Sequence, residues 1–207
     1  REGANGAGSD TGVQRFWLGI VVASIPAAIF GFLLRDWIKD VLFAPAVVAV
    51  ALIVGGVVFI WIERRPARPA QPEPEQSRLE DITLRQAIIV GLMQTLALVP
   101  GVSRSGASII GGLVSGMTRP VATAFSFYLS IPVLGGATIL DLLLSLDEIT
   151  SDDLTNLILG AVVSGIVAWF AIGWLLRYVA RNNFIAFGYY RILAGIIILI
   201  LVATGVL

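Results

Sequence analysis

The sequence predicts an all-α polytopic membrane protein with five transmembrane helices and one re-entrant helical hairpin. Three observations predict it. Of 207 residues, 57% are hydrophobic and 14% charged, and the mean hydropathy is +0.90. Five apolar segments each approach the ~20 residues that a helix needs to cross a bilayer. A sixth apolar stretch is broken in its middle by Pro100-Gly101 and a cluster of polar side chains. Lipid offers the backbone no hydrogen-bond partner, so helices are the form these segments take.

Composition also excludes. Net charge is zero, which gives no general affinity for nucleic acid. There is no cysteine, hence no disulfide framework, and no histidine, the commonest general base and metal ligand. The whole of 1–207 reads as one membrane domain. It opens on Arg1 without a signal-peptide pattern, and is read as a piece truncated at its N-terminus.

The spans are expected at Phe16–Leu34, Ala46–Ile62, Val121–Leu144, Leu154–Leu176 and Phe187–Leu207. Pro26 and Pro132 lie inside two of them and are expected to kink each helix against a neighbour. Between the second and third spans, residues 63–83 form a polar loop with Pro66, Pro69, Pro72 and Pro74 and with Arg64, Arg65, Arg68 and Arg78. Residues 84–117 are too long for one span and too short for two. Two half-length arms around a polar tip read as a hairpin that returns to its own side. Arg177, Arg181 and Arg191 surround the last connection, whereas Asp147, Glu148, Asp152 and Asp153 mark an acidic loop. The positive-inside rule then places the arginine-bearing loops in the cytoplasm and the acidic loop outside. The spacing of those four acids matches no EF-hand. Trp17, Trp37, Trp61, Trp169 and Trp174 fit interfacial or lipid-facing positions.

The chemistry concentrates at the tip, Pro100-Gly101-Val102-Ser103-Arg104-Ser105-Gly106-Ala107-Ser108. An arginine at bilayer depth costs ~2.5–3.5 kcal/mol on insertion scales, so it faces a polar cavity or a ligand. Gly101 and Gly106 let the backbone approach a ligand closely. Ser103 can cap a helix starting there, with Ser105 beside it, and that helix would turn its unpaired N–H groups toward an anion. Arg104 adds a planar fork suited to phosphate oxygens, and Ser108 lies one turn further on the same face. No carboxylate occurs between Asp81 and Asp141 to neutralise Arg104. Gln94, deep in the first arm, either orients substrate or bonds to a neighbouring helix. Asp141 reads as an interfacial helix-end carboxylate.

From Gln94 to Ser108 the chain resembles the second signature of the bacterial undecaprenyl-diphosphate phosphatases, also called bacitracin-resistance proteins. Phe125-Ser126-Phe127, Ile131-Pro132, Gly136-Ala137-Thr138, Asp141 and Tyr190-Arg191 continue the likeness, as do Ile25-Pro26-Ala27 and Gly55-Gly56 before it. The resemblance implies an integral membrane hydrolase of the bacterial plasma membrane. Such an enzyme converts undecaprenyl diphosphate to undecaprenyl phosphate, the carrier of cell-wall sugars. It implies an inverted-repeat fold with two re-entrant hairpins. It implies that Arg104 grips the diphosphate while Ser103 and Ser108 touch phosphate oxygens; from the residues themselves, Gly101, Ser105, Gly106 and Gln94 are expected to complete the binding site. It also implies a magnesium or calcium ion, whose ligands belong, with the general acid–base and the nucleophile, to a first signature expected before Arg1; no metal ligand is assigned in this chain, and these 207 residues alone are expected to be inactive. The expected partners are the polyprenyl lipid and the bilayer, with homo-oligomerisation left open. Two alternatives are a lipid-phosphate or anion transporter, since hairpins in inverted repeats also serve transport, and a non-catalytic membrane subunit.

Overall fold

The computed structural model describes residues 6–64, 78–145, 151–179 and 181–207. Most of the proline-rich loop and most of the acidic loop, including Asp147 and Glu148, lie outside the described residues. Among the described residues the structure is helical and contains no strand. The helices are α1 (Gly6–Leu33), the single turn α2 (Arg35–Trp37), α3 (Pro45–Arg64), α4 (Leu84–Thr95), α5 (Arg104–Val114), α6 (Arg119–Leu144), α7 (Ser151–Val179) and α8 (Ile185–Ala203). Within α1, α3, α6, α7 and α8, five stretches are long and apolar enough to span a membrane. They match the five expected segments to within a few residues. Both prolines sit inside continuous helices, Pro26 in α1 and Pro132 in α6.

Helices α4 and α5 form an antiparallel pair. Thr83 caps α4 by accepting from the Gln86 N–H, while the Gln86 carboxamide accepts from the Thr83 N–H. The other end of the same carboxamide reaches the Ser115 carbonyl at 3.4 Å, so the start of α4 and the end of α5 meet at one base. Gly116 ends α5 in the left-handed region at φ 93°, where the Met117 N–H returns to the Gly112 carbonyl.

The hairpin is the centre of the molecule. Every residue of α5 from Gly106 to Gly112 is buried. Its glycines explain how. A β-carbon on Gly106 would press on the Phe59 ring, one on Gly111 on Val90 and Met93, and one on Gly112 on Ala122. Side chains of ordinary size would push α3, α4 and α6 away from the helix they enclose. Around it Phe16, Ile20, Val90, Ile109, Phe125 and Leu129 make a continuous core. In lipid such contacts are favoured by close packing more than by release from water.

The α3–α8 pair follows the same rule. A β-carbon on Gly56 would lie 2.6 Å from the Gly188 carbonyl oxygen, and one on Gly195 lies 2.6 Å from that of Ala49. The two helices are therefore antiparallel and in backbone contact. The outer faces are apolar and exposed, as lipid-facing surfaces are; all five tryptophans lie there.

One polar knot ties the elements together at the hairpin's base. Glu63, at the end of α3, is nearly buried, with its side chain 4% exposed. It accepts two bonds from the Arg119 guanidinium, at 3.0 and 2.6 Å, and a third from the Phe184 N–H at 3.2 Å. The end of α3 and the starts of α6 and α8 thus share one face with the base of the hairpin. At the opposite face Arg35 and Asp141 approach to 3.8 Å.

Candidate active site

The turn at the hairpin tip is shaped by contact with α3. Gly101 has φ 92°, a conformation only glycine adopts without strain. Its Cα faces the Val48 carbonyl and Ala51 so closely that no β-carbon fits. Val48 and Ala51 lie in the first two turns of α3, so the tip passes most of the way along that helix.

From this turn the chain enters α5. Ser103 is its N-cap: the Ser103 hydroxyl accepts the Gly106 N–H at 3.1 Å and lies 3.2 Å from the Ser105 hydroxyl. The first N–H groups of the helix have no intrahelical partner. Arg104 is the first residue of α5, and among the described residues no carboxylate pairs with it.

Arg104 lines a cavity of about 590 Å³ between α1, the hairpin and α6. That volume is in the range of small-molecule sites. Its walls are apolar, formed among others by Ala27, Gly31, Leu98, Val133, Gly136 and Leu140. Polar groups stand at its two ends. Arg35 and Asp141 occupy the exposed end; Gln94 and Arg104 lie inside. Gln94 is only 2% exposed, and its Nε2 has no hydrogen-bond partner. An amide left unpaired beside a cavity is a ready donor to whatever enters it.

The predicted residues therefore divide. Arg104 and Gln94 border the cavity. Ser103, Ser105, Gly101 and Gly106 build the turn and helix start that aim Arg104. Ser108 has a different setting from the one expected for a phosphate contact. It is 1% exposed, lies 2.6 Å from the Ser126 hydroxyl on α6, and is close to the Arg104 and Ser105 carbonyls at 2.9 and 3.2 Å. Its hydroxyl is thus engaged by carbonyls of its own helix, as hydroxyls one turn above a carbonyl commonly are, and by Ser126.

Two further residues belong here to which sequence reasoning gave no role. Arg191, counted with the cations around the last connection but inside the expected span Phe187–Leu207, lies inside α8, and its Nη2 donates to the Gly101 carbonyl at 2.7 Å. Ser126 gains its role only through Ser108. Arg191 carried a usable signal, because it interrupts an apolar span just as Arg104 does.

The described residues offer no cluster of three acidic side chains that could hold a metal. The cavity's one carboxylate, Asp141, is 81% exposed and beside Arg35. These residues do not fit a divalent-cation site.

Residues 2–197 match the family model described as bacitracin resistance protein BacA. The chain belongs to this family. It is 50% identical over 201 residues to the undecaprenyl-diphosphatase of Deinococcus radiodurans, covering 97% of this chain and 72% of that protein. It is 48% identical over 202 residues to the undecaprenyl-diphosphatase of Deinococcus deserti, with the same coverage of both. Undecaprenyl-diphosphatase 3 of Acinetobacter baylyi is 45% identical over 190 residues, 92% of this chain and 70% of that protein. The family match includes the hairpin, the cavity walls and Arg191.

Proposed function

We propose that the protein is an integral membrane hydrolase of the bacterial plasma membrane that converts undecaprenyl diphosphate to undecaprenyl phosphate and inorganic phosphate. In that reaction water adds to the terminal phosphorus, the anhydride P–O bond breaks, and the lipid monophosphate leaves. The product returns to carry cell-wall sugars, and faster recycling would underlie bacitracin resistance. The observation that carries the reading is Arg104: a cation with no carboxylate paired to it among the described residues, at a capped helix N-terminus, lining an apolar cavity of about 590 Å³. The match to relatives named undecaprenyl-diphosphatase supports the same chemistry.

In this reading the hairpin is re-entrant, its base at the cytoplasmic face and its tip beyond mid-span. Arg104 clamps the diphosphate by charge-assisted bonds, the free N–H groups of the helix start and Ser103 and Ser105 complete the cradle, and Gln94 Nε2 supplies a further donor. Ser108 holds the first turn of α5 against α6. No step is assigned to a cation, since the described residues do not fit one.

The test is phosphate release from undecaprenyl diphosphate in detergent by the full-length protein. Arg104→Ala should lower turnover by ~10²-fold or more, the scale for removing a donor aimed at developing charge. Near-normal turnover would remove the clamp from the proposal. Movement of the lipid across vesicles without phosphate release would favour a transporter instead.

A further inference from the structure

Arg191 presents a contradiction that the site described above does not resolve. It sits in the second turn of α8, inside an apolar span, and among the described residues no carboxylate pairs with it. Its Nε is buried and has no hydrogen-bond partner. A guanidinium buried this way is costly unless its position does something.

Three observations say what it does. First, its Nη2 donates to the Gly101 carbonyl at 2.7 Å, across 90 residues of sequence. Gly101 is the left-handed residue of the turn from which Ser103 and Arg104 follow. Second, room for the guanidinium is made by one missing side chain. A β-carbon on Gly55 of α3 would stand 2.6 Å from Nη2 and 3.3 Å from Cζ. Third, the base of Arg191 is fixed, because α3 and α8 touch through Gly56, Gly188 and Gly195. A rigid pair of helices therefore delivers one donor to one carbonyl of the tip.

We infer that Arg191 is a positioning residue for the phosphate site: it pins the Gly101 carbonyl, and so fixes the direction in which the start of α5 presents Ser103 and Arg104. The inference rests on the phosphatase reading above and deepens it. Arg191 is not among the residues that line the cavity, so its effect passes through the turn and not through contact with the lipid. Misplacing a clamp by about 1 Å is enough to cost ~10²-fold in rate. Its uncompensated charge also adds to that of Arg104 in drawing an anion toward the tip.

The experiment compares Arg191→Met, Arg191→Lys and Gly55→Ala with the unsubstituted protein, reading kcat and KM for undecaprenyl diphosphate together with thermal stability. Arg104→Met runs beside them. Arg191→Met should lower kcat by about tenfold or more while KM changes less than about threefold, since Arg191 does not line the apolar cavity. Arg191→Lys should recover part of kcat. Gly55→Ala should imitate Arg191→Met although every charge is retained. Hydrogen exchange of residues 99–106 should rise in Arg191→Met and Gly55→Ala, a readout independent of turnover. Full kcat in Arg191→Met, or unchanged exchange at the tip, overturns the inference. So does a loss of kcat that vanishes once each variant is assayed well below its melting temperature. If Arg104→Met is itself fully active, the reading of the site fails; if only Arg104→Met is impaired, the clamp stands and the role given to Arg191 falls.

Discussion

Removing Arg119 should weaken the protein more than removing the charge it binds. Glu63 is nearly buried and takes three hydrogen bonds, two of them from Arg119. Arg119→Ala leaves that carboxylate with the Phe184 N–H alone. Breaking a buried pair from one side costs ~3–5 kcal/mol. Arg119 is 36% exposed, so water reaches its former place and the lower end applies, about 3 kcal/mol. Glu63→Gln keeps an oxygen for the Phe184 N–H and for one guanidinium bond, and should cost about 1–2 kcal/mol. The pair Arg119→Ala with Glu63→Gln should then be more stable than Arg119→Ala alone, because no buried charge is left unanswered. Reversible unfolding in detergent measures all four forms. At roughly 2–4 °C per kcal/mol for a chain of this size, Arg119→Ala should melt about 6–12 °C lower. A change within about 0.5 kcal/mol, or a double variant no better than the single one, would refute the reasoning.

Other expectations follow from single contacts. Gly101→Ala adds a β-carbon at a left-handed residue that faces the Val48 backbone, so turnover should fall by ~10²-fold with the turn displaced; phosphate release within twofold of the unsubstituted rate would show that the turn relocates freely. Ser108→Ala orphans the Ser126 hydroxyl and should cost ~1–2 kcal/mol of stability. Its turnover should drop less than about tenfold, and a hundredfold drop at full stability would return Ser108 to direct phosphate contact. Gly56→Leu forces α3 off Gly188 and Ile192 and should destabilise by ~1–3 kcal/mol or more, read by the same unfolding assay; no loss would mean the two helices separate at little cost.

The spans were legible because bilayer thickness fixes a length, and the apolar runs state that length directly. The break between α4 and α5 was legible because Pro100-Gly101 interrupts an apolar run. Arg104 stood out for the same reason, a charge where lipid would be. What the sequence did not disclose is which groups meet. Arg191 and Gly101 are 90 residues apart, and Glu63 and Arg119 are 56 apart. No local pattern records either pairing. Nor could the faces of the long helices be told from periodicity, since lipid and protein core ask for the same side chains. Ser108 shows the remaining limit. Its spacing from Arg104 put it on the right face, but only the position of α6 reveals that Ser126 claims its hydroxyl.

The spanning helices differ in length, from 19 residues in α8 to 27 in α7, with 23 in α1. The apolar spans of α3 and α8 have 20 and 19 residues, about 30 Å, a match for the hydrocarbon slab. Those of α6 and α7 have 26 and 27, about 40 Å. The start of α6 is held level with the end of α3 by Arg119 and Glu63, so its surplus is absorbed by tilt or emerges at the far face. That face is where Asp141 stands, at the exposed end of the cavity. In a thinner bilayer the surplus of α6 and α7 grows most, and for α6 it falls on the cavity's rim; in a thicker one the surplus shrinks, and α3 and α8, which seat the tip, become the helices too short to span.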